Sequence, residues 1–448
     1  MRQRGRTIRI CLLLALMTAG APGCAFRAVN QPLAQVDTTR GYRVLDTSRF
    51  REQGRISVFL AFSGGGTRAA AFAYGVLSEL RDTEIGSGVR LLDEVDALSG
   101  VSGGSFPAGY YGLFGDRIFD EFEERFLRRN VQGALIWRML APWNLVRLPG
   151  PNMSRTHIAT EFYDKHVFDR ATFADLAAAR GPRIHINTTD LVQGNRFTLD
   201  QDTFDLICSD LDPLPVAAAT AASSAVPGVL SPLTLRNYAG SCGFEPPDWF
   251  QEALKHRRED PRGARVAEEF ASYLDSDERK YIHLVDGGVA DNLGMTVFLE
   301  RLAVAGDVET YRKTLGLEVP DHVIVIVVNA ETEPDSSANL KALAPGVAAT
   351  LGLMSGVQIH RANFETLDLT RRMVRTIGQE LKKNGRPVGA HFIEVSFDLA
   401  ATEEERHYLK RLPTSFRLSD EQVDRAISAG RELLRDSPPF QELLRQLR

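Results

Sequence analysis

Ile56-Ser-Val-Phe-Leu-Ala-Phe62 runs straight into Ser63-Gly64-Gly65-Gly66-Thr67, and from Arg68 to Leu80 the residues are mostly small and apolar. A short apolar run stopped by glycines reads as a buried strand and a tight turn, and the longer stretch after it as a helix. The same order returns at Val95-Asp-Ala-Leu-Ser99, Gly100-Val101-Ser102-Gly103-Gly104 and a helix from about Ser105. Later strands are expected at 183–189, 282–285, 322–328 and 392–397, with helices at 215–225, 360–377 and 419–434. Short apolar runs alternating with helices predict an α/β fold of three layers, a mostly parallel central sheet flanked by helices.

The domain expected from this pattern spans 55–400. Two stretches interrupt the alternation. Residues 113–172 carry Trp137, Leu140, Trp143, Val146 and Leu148 among basic residues, which suits an acyl-chain or membrane contact and equally suits core packing. Residues 238–280 are polar, charged and helical in pattern; they are either a cover for a site or a peripheral helical subdomain. The segment 401–448 is expected to pack on the domain without contributing chemistry, its helix starting at the capping pattern Leu418-Ser-Asp-Glu-Gln422.

Composition narrows the function. Of the 448 residues, 44% are hydrophobic and 25% charged, with 53 Lys+Arg against 58 Asp+Glu, so the chain is an ordinary globular protein with a formal charge of −5. No long Lys/Arg run and no basic patch interleaved with aromatics is present, which argues against a nucleic-acid partner. No CxxC or HExxH occurs, and none of the nine histidines sits at ligand-like spacing from a cysteine or acid, so no metal is implied.

Residues 1–23 read as a leader. Arg2, Arg4, Arg6 and Arg9 precede the apolar run Ile10 to Ala19, too short to span a bilayer, and Gly20, Ala21, Pro22, Gly23 and Cys24 follow. Ala21-Pro22-Gly23-Cys24 resembles a bacterial lipobox, with Ala21 where Leu is usual; the resemblance implies lipid attachment at Cys24. Losing four arginines with the leader takes the charge from −5 to −9. Ala25 after the cysteine, by the same resemblance, favours an outer-membrane lipoprotein facing the periplasm or the surface. Ordinary cleavage and secretion, and an N-terminal anchor that is not cleaved, are the other readings. Residues 24–54, polar and without a sustained period, are expected to be a tether. Cys208 and Cys242 remain, either paired in an oxidising compartment or buried as free thiols.

Gly100-Val101-Ser102-Gly103-Gly104 fits G-x-S-x-G, the turn that exposes a nucleophilic serine between strand and helix. Small neighbours let the strained backbone and the substrate both fit, and the following helix N-terminus favours developing negative charge. Gly64-Gly65-Gly66-Thr67-Arg68 exposes backbone N–H groups, as an oxyanion hole requires. The spacing of a phosphate-binding loop is not met, and a purely structural turn is the plain alternative. Asp286-Gly287-Gly288 follows Ile282-His-Leu-Val285, setting a carboxylate at a strand end; alone, it too reads as a turn.

Together, in this order, the three motifs resemble the patatin-like phospholipase family over roughly residues 56–400. Ala222-Ser-Ser-Ala-Val-Pro-Gly228 looks like the family's small-residue helix and turn beside the site. Ala69 departs from the family, whose glycine loop often continues with Gly, and 238–280 has no counterpart. The resemblance implies a lipid acyl hydrolase of the phospholipase A or lysophospholipase kind, without metal or organic cofactor, acting on a phospholipid or other lipid ester at a membrane surface. Carried over, Ser102 is the nucleophile and Asp286 its base. Gly65 and Gly66, with Gly64 beside them, supply the oxyanion hole. Gly100, Gly104, Gly287 and Gly288 shape the turns. Arg68 is the loop cation, either paired structurally or touching phosphate. A free Asp is a weak base toward a hydroxyl, so Asp286 is expected to be buried within hydrogen-bond reach of Ser102.

Two rivals stand beside this reading. A Ser-His-Asp esterase of α/β-hydrolase type would pair Ser102 with a late histidine, His322, His360, His391 or His407. A non-catalytic lipid-binding envelope lipoprotein would keep the fold and turn nothing over.

Overall fold

The computed structural model describes residues 28–43, 56–86, 88–148, 153–314, 316–333, 339, 342, 346–383 and 385–447. The expected leader, Cys24, and residues 25–27 and 44–54 of the expected tether lie outside them.

Eight strands share one sheet: β1 Ile56–Phe62, β2 Val95–Val101, β3 Arg183–Asp190, β4 Arg196–Thr198, β5 Leu233–Arg236, β6 Tyr281–Asp286, β7 His322–Asn329 and β8 Gly389–Ser396. Their order is β8-β7-β1-β2-β3-β6-β5, with β4 hydrogen-bonded to β3 off this path. From β8 to β3 every neighbouring pair is parallel. At the far edge β6 runs antiparallel to β3, and β5 antiparallel to β6. The sheet is therefore mostly parallel, as expected.

The strands alternate between two cores. Val58, Leu60 and Phe62 of β1 join Ile324, Ile326 and Val328 of β7 in the larger one, whereas Ala61, Val325 and Val327 face Leu293, Met295 and Val374 on the opposite side. Burial on both faces explains the continuous apolar runs of these strands.

The helices that matter here are α1 Gly66–Asp82, α2 Ser105–Phe114, α3 Val131–Leu140, α4 Pro142–Arg147, α5 Arg155–His166, α6 Val216–Ser223, α7 Asp248–Lys255, α8 Pro261–Ala271, α9 Val347–Glu380 and α10 Asp420–Arg435. Helices α1 and α10 touch through backbone: a Cβ on Gly75 would meet the Ile427 carbonyl oxygen at 2.2 Å. The carboxylate of Glu79 on α1 holds Arg431 and Arg435 of α10. Ser419 and Gln422 form the expected capping box of α10. In the 238–280 insertion, α7 and α8 pack on each other through Trp249, Phe250 and Phe270.

Residues 28–43 are not a free tether. Gln31–Pro32 pairs with Ser209–Asp210, buried Asn30 bonds to Ser209 Oγ and the Arg236 carbonyl, and Arg43 pairs with Asp202 and Asp205. The Tyr42 hydroxyl accepts the Ile184 N–H at 2.6 Å. The lack of periodicity misleads because this arm docks through single polar side chains, each with its own buried partner. Beneath it Cys208 and Cys242 form a disulfide, Cα–Cα 5.4 Å, whose two carbonyls accept the N–H groups of Leu33 and Val36.

Candidate active site

Ser102 follows the last residue of β2 and adopts φ 50°, a left-handed conformation that a non-glycine residue rarely takes. This is the strained strand-to-helix turn that the motif predicts. The glycines on either side are needed for closeness. A Cβ on Gly100 would lie 2.7 Å from the Ser105 Cα, and one on Gly104 would lie 2.6 Å from the Ser63 carbonyl oxygen.

The register of the sheet brings Asp286 to the serine. Val101 is paired with Asn187 on β3, and the next residue of β3, Thr188, is paired with Asp286 on β6. Asp286 thus stands at a strand end, as expected, but on a strand antiparallel to β3. The Ser102 hydroxyl donates to Asp286 Oδ2 at 2.9 Å, and the Gly288 N–H donates to Oδ1 at 2.8 Å. Gly287 must be glycine because a Cβ there would meet the Asn187 carbonyl oxygen at 2.3 Å. Asp286 is 7% exposed. Burial pushes its carboxyl up to about 6, against the opposing pull of the Gly288 and Ser102 hydrogen bonds.

The glycine loop lies against this pair. A Cβ on Gly64 would come 3.3 Å from the Ser102 Cβ, and a Cβ on Gly103 would come 2.6 Å from the Gly66 nitrogen. Gly65 and Gly66 take φ 142° and 62°. Among the described residues, no hydrogen bond engages the N–H of either. Gly64 differs, and its expected place in the oxyanion hole is corrected: its N–H donates to the Asn292 carbonyl at 3.0 Å and is spent on anchoring the loop.

Residues 60–299, more than half of the chain, match the family model Patatin-like phospholipase. The chain belongs to the patatin-like phospholipase family. No curated protein matches it. Among solved structures, human GIVD cytosolic phospholipase A2 is similar at 12% identity and TM-score 0.49, over 95% of this chain and 66% of that one. The same enzyme in complex with methyl gamma-linolenyl fluorophosphonate is similar at 12% identity and TM-score 0.43, over 93% and 65%. VipD from Legionella pneumophila is similar at 11% identity and TM-score 0.31, over 94% and 71%. The chain thus spans just under two thirds of the length of those phospholipase A2 chains.

Within this patatin-like site, Arg68 is a clamp. Its guanidinium is buried and donates to the carbonyls of Ala330 at 3.0 Å and Leu412 at 2.7 Å and to Thr414 Oγ1 at 3.0 Å. Burial lowers it to about 10, which leaves it charged at neutral pH. With the Thr67 N–H donating to the Ser415 carbonyl at 2.9 Å, this makes stretch 412–415 the backing of the glycine loop. The C-terminal segment, expected only to pack, also holds the loop in place.

Four further residues support the serine and the aspartate. Ser223 Oγ accepts the Ser102 N–H at 2.8 Å and donates to the Asn187 carbonyl at 2.7 Å. Asn187 Nδ2 donates to Ser99 Oγ at 2.8 Å, and Thr189 Oγ1 donates to the Asp286 carbonyl at 2.8 Å. Asn292 anchors Gly64. Ser223 sits in the small-residue segment noted in the sequence, but only register and three-dimensional contact single out the other three.

No histidine hydrogen-bonds to Ser102. His322 and His391 bond to each other, His360 to Glu331, His407 to Arg411, His157 to Ser154, His166 to Arg138, His256 to Glu252 and His283 to Thr234. His185 is buried on β3, opposite Ser99. Among the described residues no group of His, Cys, Asp and Glu is arranged to hold a metal.

Proposed function

We propose that the chain is a lipid acyl hydrolase that cleaves carboxylic esters with Ser102 as nucleophile and Asp286 as base. The observation that carries the reading is the 2.9 Å hydrogen bond from the Ser102 hydroxyl to a buried carboxylate, with no histidine hydrogen-bonded to the serine. Membership of the patatin-like phospholipase family supports it, and points to phospholipids or lysophospholipids as substrates.

Asp286 takes the hydroxyl proton as Ser102 Oγ attacks the ester carbonyl carbon. The resulting oxyanion lies against the N–H groups of Gly65 and Gly66, which are fixed before the reaction and so need no reorganisation. Collapse breaks the ester C–O bond, and the alcohol, a lysolipid or glycerol derivative, leaves with the proton from Asp286. The ionised Asp286 then activates water, which attacks the acyl-serine. The fatty acid departs and Ser102 regains its proton. A carboxyl held at about 6 suits both roles better than an ordinary aspartate, because it is the stronger base yet is ionised at neutral pH.

The Ser-His-Asp alternative is disfavoured because eight of the nine histidines hydrogen-bond to groups other than Ser102, and the ninth, His185, is buried on β3 opposite Ser99. A lipid-binding protein without turnover differs from an enzyme in one assay. Purified chain and Ser102→Ala are incubated with phospholipid vesicles and free fatty acid is measured. Release by the wild type alone is expected; none from either, with vesicle binding intact, overturns the enzyme reading. The Cys208–Cys242 disulfide supports export to an oxidising compartment, in line with the proposed leader, with lipid attachment at Cys24 and with a place in the bacterial cell envelope.

A further inference from the structure

Helices α3 and α4 expose an unusual amount of apolar surface. Trp137 is 72% exposed, Leu140 62%, Trp143 62% and Val146 81%, with Ile136 and Leu145 beside them about half exposed. Large apolar side chains this open and this contiguous mark an interaction surface. The helices themselves are anchored elsewhere: Val131, Leu135, Ala141 and Asn144 are buried, so the exposed set is a second, outward face.

Charge along this stretch of the chain is one-sided. Residues 125–160 hold six arginines and neither Asp nor Glu, in a chain of net charge −5. Some of these arginines are paired, as Arg147 is with Glu161. Arg138 and Arg155 contact no carboxylate among the described residues; they meet His166 and the Gly228 carbonyl instead.

The segment that carries the patch is tied to the surroundings of the site at both ends. The Gln132 N–H at the start of α3 donates to the Phe416 carbonyl, next to Ser415, which holds the glycine loop. Arg155 reaches the 226–229 turn, where Val226 and Val229 are exposed, and the Ala225 carbonyl accepts the Asp286 N–H. Val289, next to Gly288, and Phe364, next to the Asn363 that meets Asn292, are exposed as well.

We infer that α3 and α4 dock the enzyme on an anionic lipid bilayer, seating Trp137, Leu140, Trp143 and Val146 at the headgroup–acyl boundary with the active-site mouth against the membrane. The inference rests on the lipid hydrolase reading for its purpose but not for its test. Indole and aliphatic side chains with Arg138 and Arg155 in the same stretch match an interface that is apolar below and anionic above. The element lies on the bilayer and does not cross it: among the described residues no helix is long and apolar enough to span a membrane. Docking here would let a single lipid pass from bilayer to Ser102 without entering water.

The test uses the full-length chain carrying Cys24→Ser, so that no acyl anchor contributes, and Ser102→Ala, so that the vesicles stay intact. Flotation with phosphatidylcholine–phosphatidylglycerol vesicles is compared with that of the same chain bearing Trp137→Ala, Leu140→Ala, Trp143→Ala and Val146→Ala. The expected result is a fall in partitioning of about 100-fold, since each side chain of this size buried at an interface contributes up to about tenfold. Two of the three tryptophans lie in the patch, so vesicles should also blue-shift the fluorescence of the parent chain. With Ser102 restored, the fourfold variant should still hydrolyse a short-chain ester free in solution, which shows that it folds. Vesicle binding unchanged by the four substitutions overturns the inference. So does absence of vesicle binding together with a drop in oligomeric mass in the variant, which would mean that a second copy covers the patch. If vesicle binding depends on the patch but no ester is hydrolysed, docking stands and the hydrolase reading fails.

Discussion

Gly103 and Gly66 are in backbone contact: a Cβ on Gly103 would lie 2.1 Å from the Gly66 carbonyl oxygen. The serine turn and the glycine loop come from different strands, yet they form one rigid unit in which the proposed nucleophile and the proposed oxyanion donors are fixed together. Gly103→Ala should push the loop away from the serine. Misplaced oxyanion donors are expected to lower kcat/KM by about 100-fold or more, with KM for a soluble ester little changed. Wild-type kinetics from this variant would mean that the loop does not hold the oxyanion.

On the proposed mechanism the carboxyl of Asp286 sets the acid limb of the rate profile. Only its ionised form accepts the serine proton, so kcat/KM should rise with pH through about 6 and level off above it. A limb near 4, where an exposed aspartate titrates, would mean that burial does not tune this group.

The same burial destabilises the fold. The pKa of Asp286 is higher folded than unfolded, so the folded state favours the proton; stability from this group is complete below pH ~4 and is lost as pH rises through about 6. Asp286→Asn removes the charge and can keep the Gly288 hydrogen bond. It should be inactive yet more stable than wild type by roughly 1–3 kcal/mol at pH 8, a gain that shrinks towards pH 4. Denaturant melts at both pH values check the sign.

The Cys208–Cys242 bridge closes a loop with a sequence separation of 34 and lies under the docked arm 28–43. Cys208→Ser with Cys242→Ser should lower stability by about 3–4 kcal/mol on chain-entropy grounds. Because Leu33 and Val36 bond to the carbonyls of the two cysteines, proteolysis of the arm should speed up as well. Equal cleavage rates would mean that the arm docks independently of the bridge.

Where local pattern and chemistry coincide, the fold and site were legible. Ile56–Phe62 with its glycine turn and Ser102 in G-x-S-x-G carry their geometry in neighbouring residues, so strand, turn and helix follow from composition alone. Asp286 was found by resemblance, and its antiparallel approach was not, because strand direction depends on which partner β6 meets. Asn187, Thr189 and Asn292 act through register and tertiary contact and leave no trace in spacing. Three consecutive glycines look alike in sequence, so Gly64 is indistinguishable there from its neighbours; the Asn292 carbonyl, more than two hundred residues away, sets it apart. Arm 28–43 read as a tether because docking through isolated polar contacts has no period.

The central claim is that Asp286 activates Ser102. Intact-mass analysis after exposure to a fluorophosphonate tests it most directly, on wild type, Ser102→Ala and Asp286→Asn. The account predicts a single adduct on the wild type, none on Ser102→Ala and little or none on Asp286→Asn. An unlabelled but folded wild type, or full labelling of Asp286→Asn, would contradict it.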